Sequence, residues 1–148
     1  MVTKDQLNRY LSVIFRPLPG LIINTANSQR DVGGECMYNR SADSYSITIY
    51  ILKSTSESDA ACIMFHENGH ISLDRKNNNP GDHFRVRNVL RTASYMQREV
   101  SAWIEGDIFA TRFGLHEQYK SLAMSIINPD IKLMTKMTRQ LWEAWLNV

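Results

Sequence analysis

The sequence predicts one α+β domain over residues 1–148, with a small, mostly antiparallel sheet packed on a central helix and further helices toward the C terminus. Three observations carry this. Tyr45 to Ile51 sets Tyr45, Ile47, Ile49 and Ile51 against Ser46, Thr48 and Tyr50, the alternation of a half-buried strand. Ser54 to Asp74 opens on Ser54/Glu57 and Ser56/Asp59, both of which fit a capping box, and continues as a helix. From Arg85 to Phe113, Val86, Val89, Ala93, Met96, Val100, Trp103 and Ala110 recur at helical spacing, either continuously or with a break near Thr92-Ala93-Ser94.

The remaining elements follow in order. Val2 to Phe15 reads as an amphipathic helix with Leu7, Tyr10, Leu11 and Ile14 on one stripe, ended by Pro17 and Pro19-Gly20. Leu21-Ile22-Ile23 is a short strand, Asn24 to Gly34 a polar loop, and Glu35 to Asn39 a second strand. Tyr45–Ile51 then has the pattern of an antiparallel or edge strand, and an edge beside the following helix could take an extended peptide by strand addition. Arg75 to Phe84 is a loop, rich in Asn and turned at Pro80-Gly81. Gly114 stops the long helical run, and His116 to Asn128 includes a short helix. Asn128-Pro129 starts a last helix to about Leu146 that buries Met134, Met137, Leu141 and Trp145.

Composition excludes several classes. At 43% hydrophobic and 22% charged residues the chain is an ordinary globular one, and a net charge of +2 favours neither nucleic acid nor an acidic partner. Two cysteines make no disulfide framework, and Cys62 inside the central helix reads as a small apolar core residue. No targeting segment and no membrane span is visible, so a cytoplasmic protein is expected.

The chemistry lies in His66-Glu67-Asn68-Gly69-His70. On a helix, residues four apart share a face, so His66 and His70 can aim two imidazole nitrogens at one metal ion, with Glu67 beside them to handle protons. Gly69 costs about 1 kcal/mol inside a helix, and close packing of another backbone would compensate.

A catalytic zinc site needs a third protein ligand. Glu99 is favoured: it shares a helix face with Ala102, Gly106 and Ala110, a small-residue stripe suited to close approach on Gly69. Glu105, six residues on and on another face, is the alternative. Asp74, one turn after His70, is a further one in a looser site. His83 is a ligand, a substrate contact or a surface residue, with the last two favoured, and His116 reads as a surface residue.

Met64-Phe65-His66-Glu67-Asn68-Gly69-His70, with Arg98-Glu99-Val100-Ser101-Ala102 downstream, resembles the gluzincin metallopeptidases, in which a helix bearing H-E-x-x-H precedes one bearing E-x-x-A. The layout is most similar to the compact intracellular ImmA/IrrE-like group, over roughly residues 47–115. The resemblance implies a minimal zincin-like domain holding zinc at His66, His70 and a glutamate, with Glu67 as general base. It also implies action on one specific intracellular protein, such as a repressor. Three departures stand out. Asn68 replaces an apolar residue. Trp103 stands where related families have Asp or Asn beside a ligand histidine. Glu105-Gly106-Asp107 replaces E-A-[DN], which keeps Glu105 open as the ligand. Asp107 or Asp74 is then expected to supply the missing carboxylate support.

The expected activity is zinc-dependent hydrolysis of a peptide bond in a protein or peptide substrate, with Tyr95 or His83 as a donor to the oxyanion, although Tyr95 fits a packing role better. The competing class is a catalytically weak or inactive zincin-scaffold protein that binds a protein or nucleic-acid partner. Arg75, Lys76, Arg85, Arg87, Arg91 and Arg98, with Asp82 the one acid among them, form the stretch a nucleic acid would use; the small net charge argues against it.

Overall fold

The computed structural model describes residues 1–14, 21–29, 31–77, 79–85 and 92–148, with the side chains of residues 12–14 and 85 left aside. The architecture is α+β. Its elements are α1 (Lys4–Ile14), β1 (Ile22–Asn27), β2 (Gly33–Asn39), β3 (Ser44–Ile51), α2 (Glu57–Arg75), α3 (Asp82–Arg85), α4 (Ala93–Arg112), α5 (His116–Ile127), a 3-10 turn (Asn128–Leu133) and α6 (Lys136–Leu146).

The sheet has three strands in the order β1-β3-β2. It is mixed rather than mostly antiparallel: β3 runs parallel to β1 (Ile23 opposite Ile47) and antiparallel to β2 (Cys36 opposite Ile47). β3 is thus the central strand, and the expected free edge beside the helix is absent there, because both its sides carry ladder hydrogen bonds. Its alternation reports a buried face, Tyr45, Ile47, Ile49 and Ile51, and alternation alone cannot tell a centre strand from an edge. β1 runs on to Asn27, through polar residues that read as loop, since pairing with β3 recruits them.

α2 is the hub. Ser56 caps it by accepting the Asp59 N–H at 3.1 Å, the second of the two expected capping pairs. The sheet covers one flank and α4 another, with α1 and α5 against the rest. Its core side chains from Ala60 to Phe65, with Ile71, are therefore buried nearly all round. Leu7 and Leu11 of α1 are buried, and Tyr10 meets the edges of the Phe65 and Phe113 rings.

α4 starts at Ala93, where Thr92 caps it by accepting the Tyr95 N–H at 3.2 Å, at the position of the expected break. The helix expected over residues 86–91, like the proline stop at residues 17–20, lies outside the described residues. The expected loop after α2 contains the single turn α3. In α6, Trp142, Trp145 and Thr138 face inward, while Met137 is 78% and Leu141 49% exposed, contrary to expectation. The two indoles offer more apolar area than the thioether and isobutyl groups, so they set which face is buried. Asn128-Pro129 opens the 3-10 turn, and Thr135 caps α6 by accepting the Thr138 N–H.

The decisive packing is α2 on α4. A Cβ added at Gly69 would lie 2.1 Å from the Ala102 carbonyl oxygen, and one at Gly106 would lie 2.4 Å from that of Phe65. No real side-chain carbon tolerates these distances, so the helices meet backbone to backbone at Gly69, Ala102 and Gly106. We expect Gly69→Ala to destabilise the fold by about 3 kcal/mol or more, measured by urea unfolding, although alanine is the better helix former.

Candidate metal centre

The close helix crossing sets Glu99 over the exposed end of the α2 histidine face. Glu99 lies 3.5 Å from His66 Nε2 through Oε1 and 2.6 Å from His70 Nε2 through Oε2. One ligand atom from each of the three residues falls within 4.8 Å of the others. Two imidazoles and a carboxylate grouped in this way could hold a metal ion. Burial works to raise the Glu99 carboxyl, but the charges of His70 and His66 and their hydrogen bonds hold it well below the usual carboxylate range. It therefore stands as an anion.

Glu67 is buried beside this group, and burial first, with Glu99 and Glu35 adding repulsion against the pull of His70, pushes its carboxyl up to about 8. A carboxyl near neutrality both takes and gives a proton readily. Gly34 of β2 makes room for it: a Cβ there would lie 3.0 Å from Glu67 Cγ and Oε1.

The two histidines are supported differently. His70 Nδ1 lies 2.7 Å from His83 Nε2. Burial first, then the charges of His70 and Arg98, pull His83 down to about 4, so its ring is neutral, and either nitrogen of the pair can be the donor according to tautomer. With His70 Nδ1–H as the donor, His70 Nε2 would be free for a metal ion. His83 is placed in turn by Asp74, a fully buried carboxylate that accepts from the Tyr45 hydroxyl at 2.6 Å, the Gly81 N–H at 2.9 Å and the His83 N–H at 3.2 Å. His66 has no such partner. Its buried Nδ1 makes no hydrogen bond among the described residues, and its ring stacks on Trp103 at 4.1 Å between centroids and 20° between planes. Trp103 thus positions His66 by face-to-face contact. Asn68 is fully buried; its amide donates to the Met64 carbonyl at 3.1 Å, and its own carbonyl is unpartnered.

The other candidates fall elsewhere. Glu105 accepts from Ser72 Oγ at 2.7 Å and from Lys76 Nζ near the C-terminal end of α2, away from the three grouped ligand atoms, because six residues turn it off the Glu99 face. Asp74 ligates nothing in the group; it closes the loop under His83. Asp107, expected as a carboxylate support, instead accepts from Trp145 Nε1 at 2.9 Å and pairs with His116 Nδ1 at 2.7 Å, tying α4 to α5 and α6. His116 is correspondingly engaged rather than loose on the surface. Tyr95 directs its hydroxyl toward Glu99 Oε1 at 3.4 Å and borders both cavities at the site.

Those cavities differ in character. One of about 240 Å³ touches Glu67, His70, His83, Tyr95, Arg98 and Glu99. The other, of about 620 Å³, reaches the opposite side, where Ile63, Trp103, Leu122, Ile126 and Pro129 make an apolar wall. They share Gly34, Glu67, Tyr95 and Glu99, so the grouped ligands sit where two clefts join. Sequence reasoning missed three contributors: Gly34, Arg98 as a cavity residue, and His83 as the partner of His70. Of these, only Gly34 carries a local signal, a glycine pair at the start of a strand.

No family model, no curated protein and no solved structure matches this chain. No helix among the described residues is long and apolar enough to cross a membrane.

The His116–Asp107 pair makes a pH prediction independent of the metal. Its hydrogen bond to Asp107 raises the His116 pKa despite the opposing effect of burial. A raised histidine contributes stability that is complete below its unfolded value, near 6.5, and is lost as pH rises through the folded value. We expect His116→Gln to cost more stability at pH 5.5 than at pH 9, by urea unfolding at both.

Proposed function

We propose that this chain is a zinc-dependent metallopeptidase of gluzincin type, with a minimal zincin-like domain of the ImmA/IrrE-like layout, acting on a selected protein or peptide. The observation that carries this reading is the meeting of His66 Nε2, His70 Nε2 and the Glu99 carboxylate at the junction of two clefts, with the Glu67 carboxyl beside them. His66, His70 and Glu99 would hold the ion. When bound, zinc supplies a Lewis acid that lowers the pKa of a water molecule and polarises a carbonyl.

The remaining work falls to side chains. Glu67 accepts the proton of the attacking water and passes it to the departing amide nitrogen, so that the C–N bond breaks without expelling an amide anion. The Tyr95 hydroxyl, beside Glu99, is placed to donate to the oxyanion as the carbonyl carbon becomes tetrahedral. His83 keeps the His70 ring in the required tautomer, and Trp103 fixes the plane of His66. An extended peptide would lie along β2, the sheet edge whose Gly34, Glu35 and Cys36 border the smaller cleft. That role was expected of β3, which is paired on both sides.

One observation favours a second reading, a zincin scaffold that binds a partner without turnover: His66 Nδ1 is buried and unpartnered. Metal analysis and activity separate the two. We expect Glu99→Ala to lower zinc affinity at least about tenfold while Glu105→Ala keeps it. Glu67→Gln should retain zinc and lose hydrolysis of a casein or peptide-mixture substrate by about a thousandfold or more. Zinc binding unaffected by Glu99→Ala would remove the ligand set, and full activity in Glu67→Gln would remove the mechanism. A zinc-loaded wild type without activity would leave the binding reading.

A further inference from the structure

The smaller cleft contains a charged group that neither the ligand set nor the fold uses. Arg98 immediately precedes Glu99, lines the wall of the cleft, and lies close enough to His83 for its charge to act there. The nearby acids are placed otherwise than against Arg98. Glu99 lies against His66 and His70. Asp74 is filled by Tyr45, Gly81 and His83. Glu35 stands exposed on the β2 rim of the cleft, and Glu67 is buried against the ligand group. Arg98 forms no ion pair or hydrogen bond with any of them among the described residues. A guanidinium that is half-buried, unpaired and facing a cleft is satisfied by water while the cleft is empty. A peptide filling the cleft would strip that water, which is unfavourable unless an anion replaces it. The fork of N–H donors on arginine matches a carboxylate in two-point fashion.

We propose that Arg98 is the specificity-determining residue of the cleft and selects substrates that place a carboxylate at a fixed distance from the cleaved bond. This rests on the peptidase reading above and narrows its substrate class to acidic peptides. The carboxylate comes from an Asp or Glu side chain or from a free C terminus. Arg98 touches no reacting atom; it acts on substrate choice alone. A neutral or basic residue at that position would leave the guanidinium desolvated and unpaired.

The test is cleavage-site profiling of the zinc-loaded full chain on a random synthetic peptide library, half with free and half with amidated C termini, read by mass spectrometry. The expected result is enrichment of a carboxylate at one position by about ten- to a hundredfold, the value of a hydrogen bond to a charged group. Internal Asp or Glu enrichment in both halves identifies a side chain, and cuts confined to the free-acid half identify a C terminus. Arg98→Gln should lose the enrichment at unchanged zinc content, and Arg98→Glu should turn it toward Lys and Arg. Should Arg98→Gln lose zinc, Arg98→Lys carries the test, and enrichment reduced at the same position is the supporting result. Enrichment absent from the wild type, or undiminished in these variants, overturns the assignment of Arg98 and leaves the peptidase reading standing. No cleavage by the zinc-loaded wild type overturns both.

Discussion

The contact on which the rest depends is the crossing of α2 and α4 at Gly69, Ala102 and Gly106. The backbones touch there, with no side chain between them. A close crossing fixes rotation as well as distance, so the helix turn that puts Ala102 against Gly69 also puts Glu99, three residues earlier, over His66 and His70. The cost of glycine in two helix interiors, about 1 kcal/mol each, is offset by a carboxylate held against two imidazoles without a loop to position it. The same rotation turns Glu105 away to Ser72 and Lys76. One packing constraint thus decides which of two plausible glutamates joins the histidines.

Around that crossing the two histidines are oriented by different physics. His70 is held by a chain of hydrogen bonds that ends in a buried carboxylate: His70 to His83, the His83 backbone to Asp74, and Asp74 to Tyr45 on the central strand. That chain ties the sheet and the loop after α2 to one imidazole, so the strand and loop belong to the site as much as the helices do. His66 is held by the indole face of Trp103, which fixes its plane but accepts no proton. An imidazole whose second nitrogen has no partner would be a less basic metal ligand than one that is hydrogen-bonded there.

Local periodicity made much of this legible. The alternation of β3, the Ser56 cap, the small-residue stripe with Glu99 and the His66/His70 spacing are all short-range patterns, and each has its expected counterpart in the fold. What escaped is what depends on distant pairing. β3 has the same alternation whether at the edge or the centre of a sheet, so its central place could not be read from it. The inward face of α6 was mistaken because Met137 and Leu141 compete with Trp142 and Trp145 on sequence alone, and only the neighbouring helices choose between them. His83 lies in a segment with no periodicity; its place is set by Asp74 nine residues back. Of the carboxylates expected to support the histidines, Asp74 reaches His70 only through His83, and Asp107 instead ties α4 to α5 and α6.

We propose that His66, His70 and Glu99 form one zinc centre. Zinc K-edge X-ray absorption on the purified chain, loaded with one equivalent of zinc, measures this directly. The expected result is one tightly retained ion with two imidazoles and carboxylate oxygen at about 2.0–2.2 Å. Failure to retain zinc, or a shell without imidazole scattering, would contradict it.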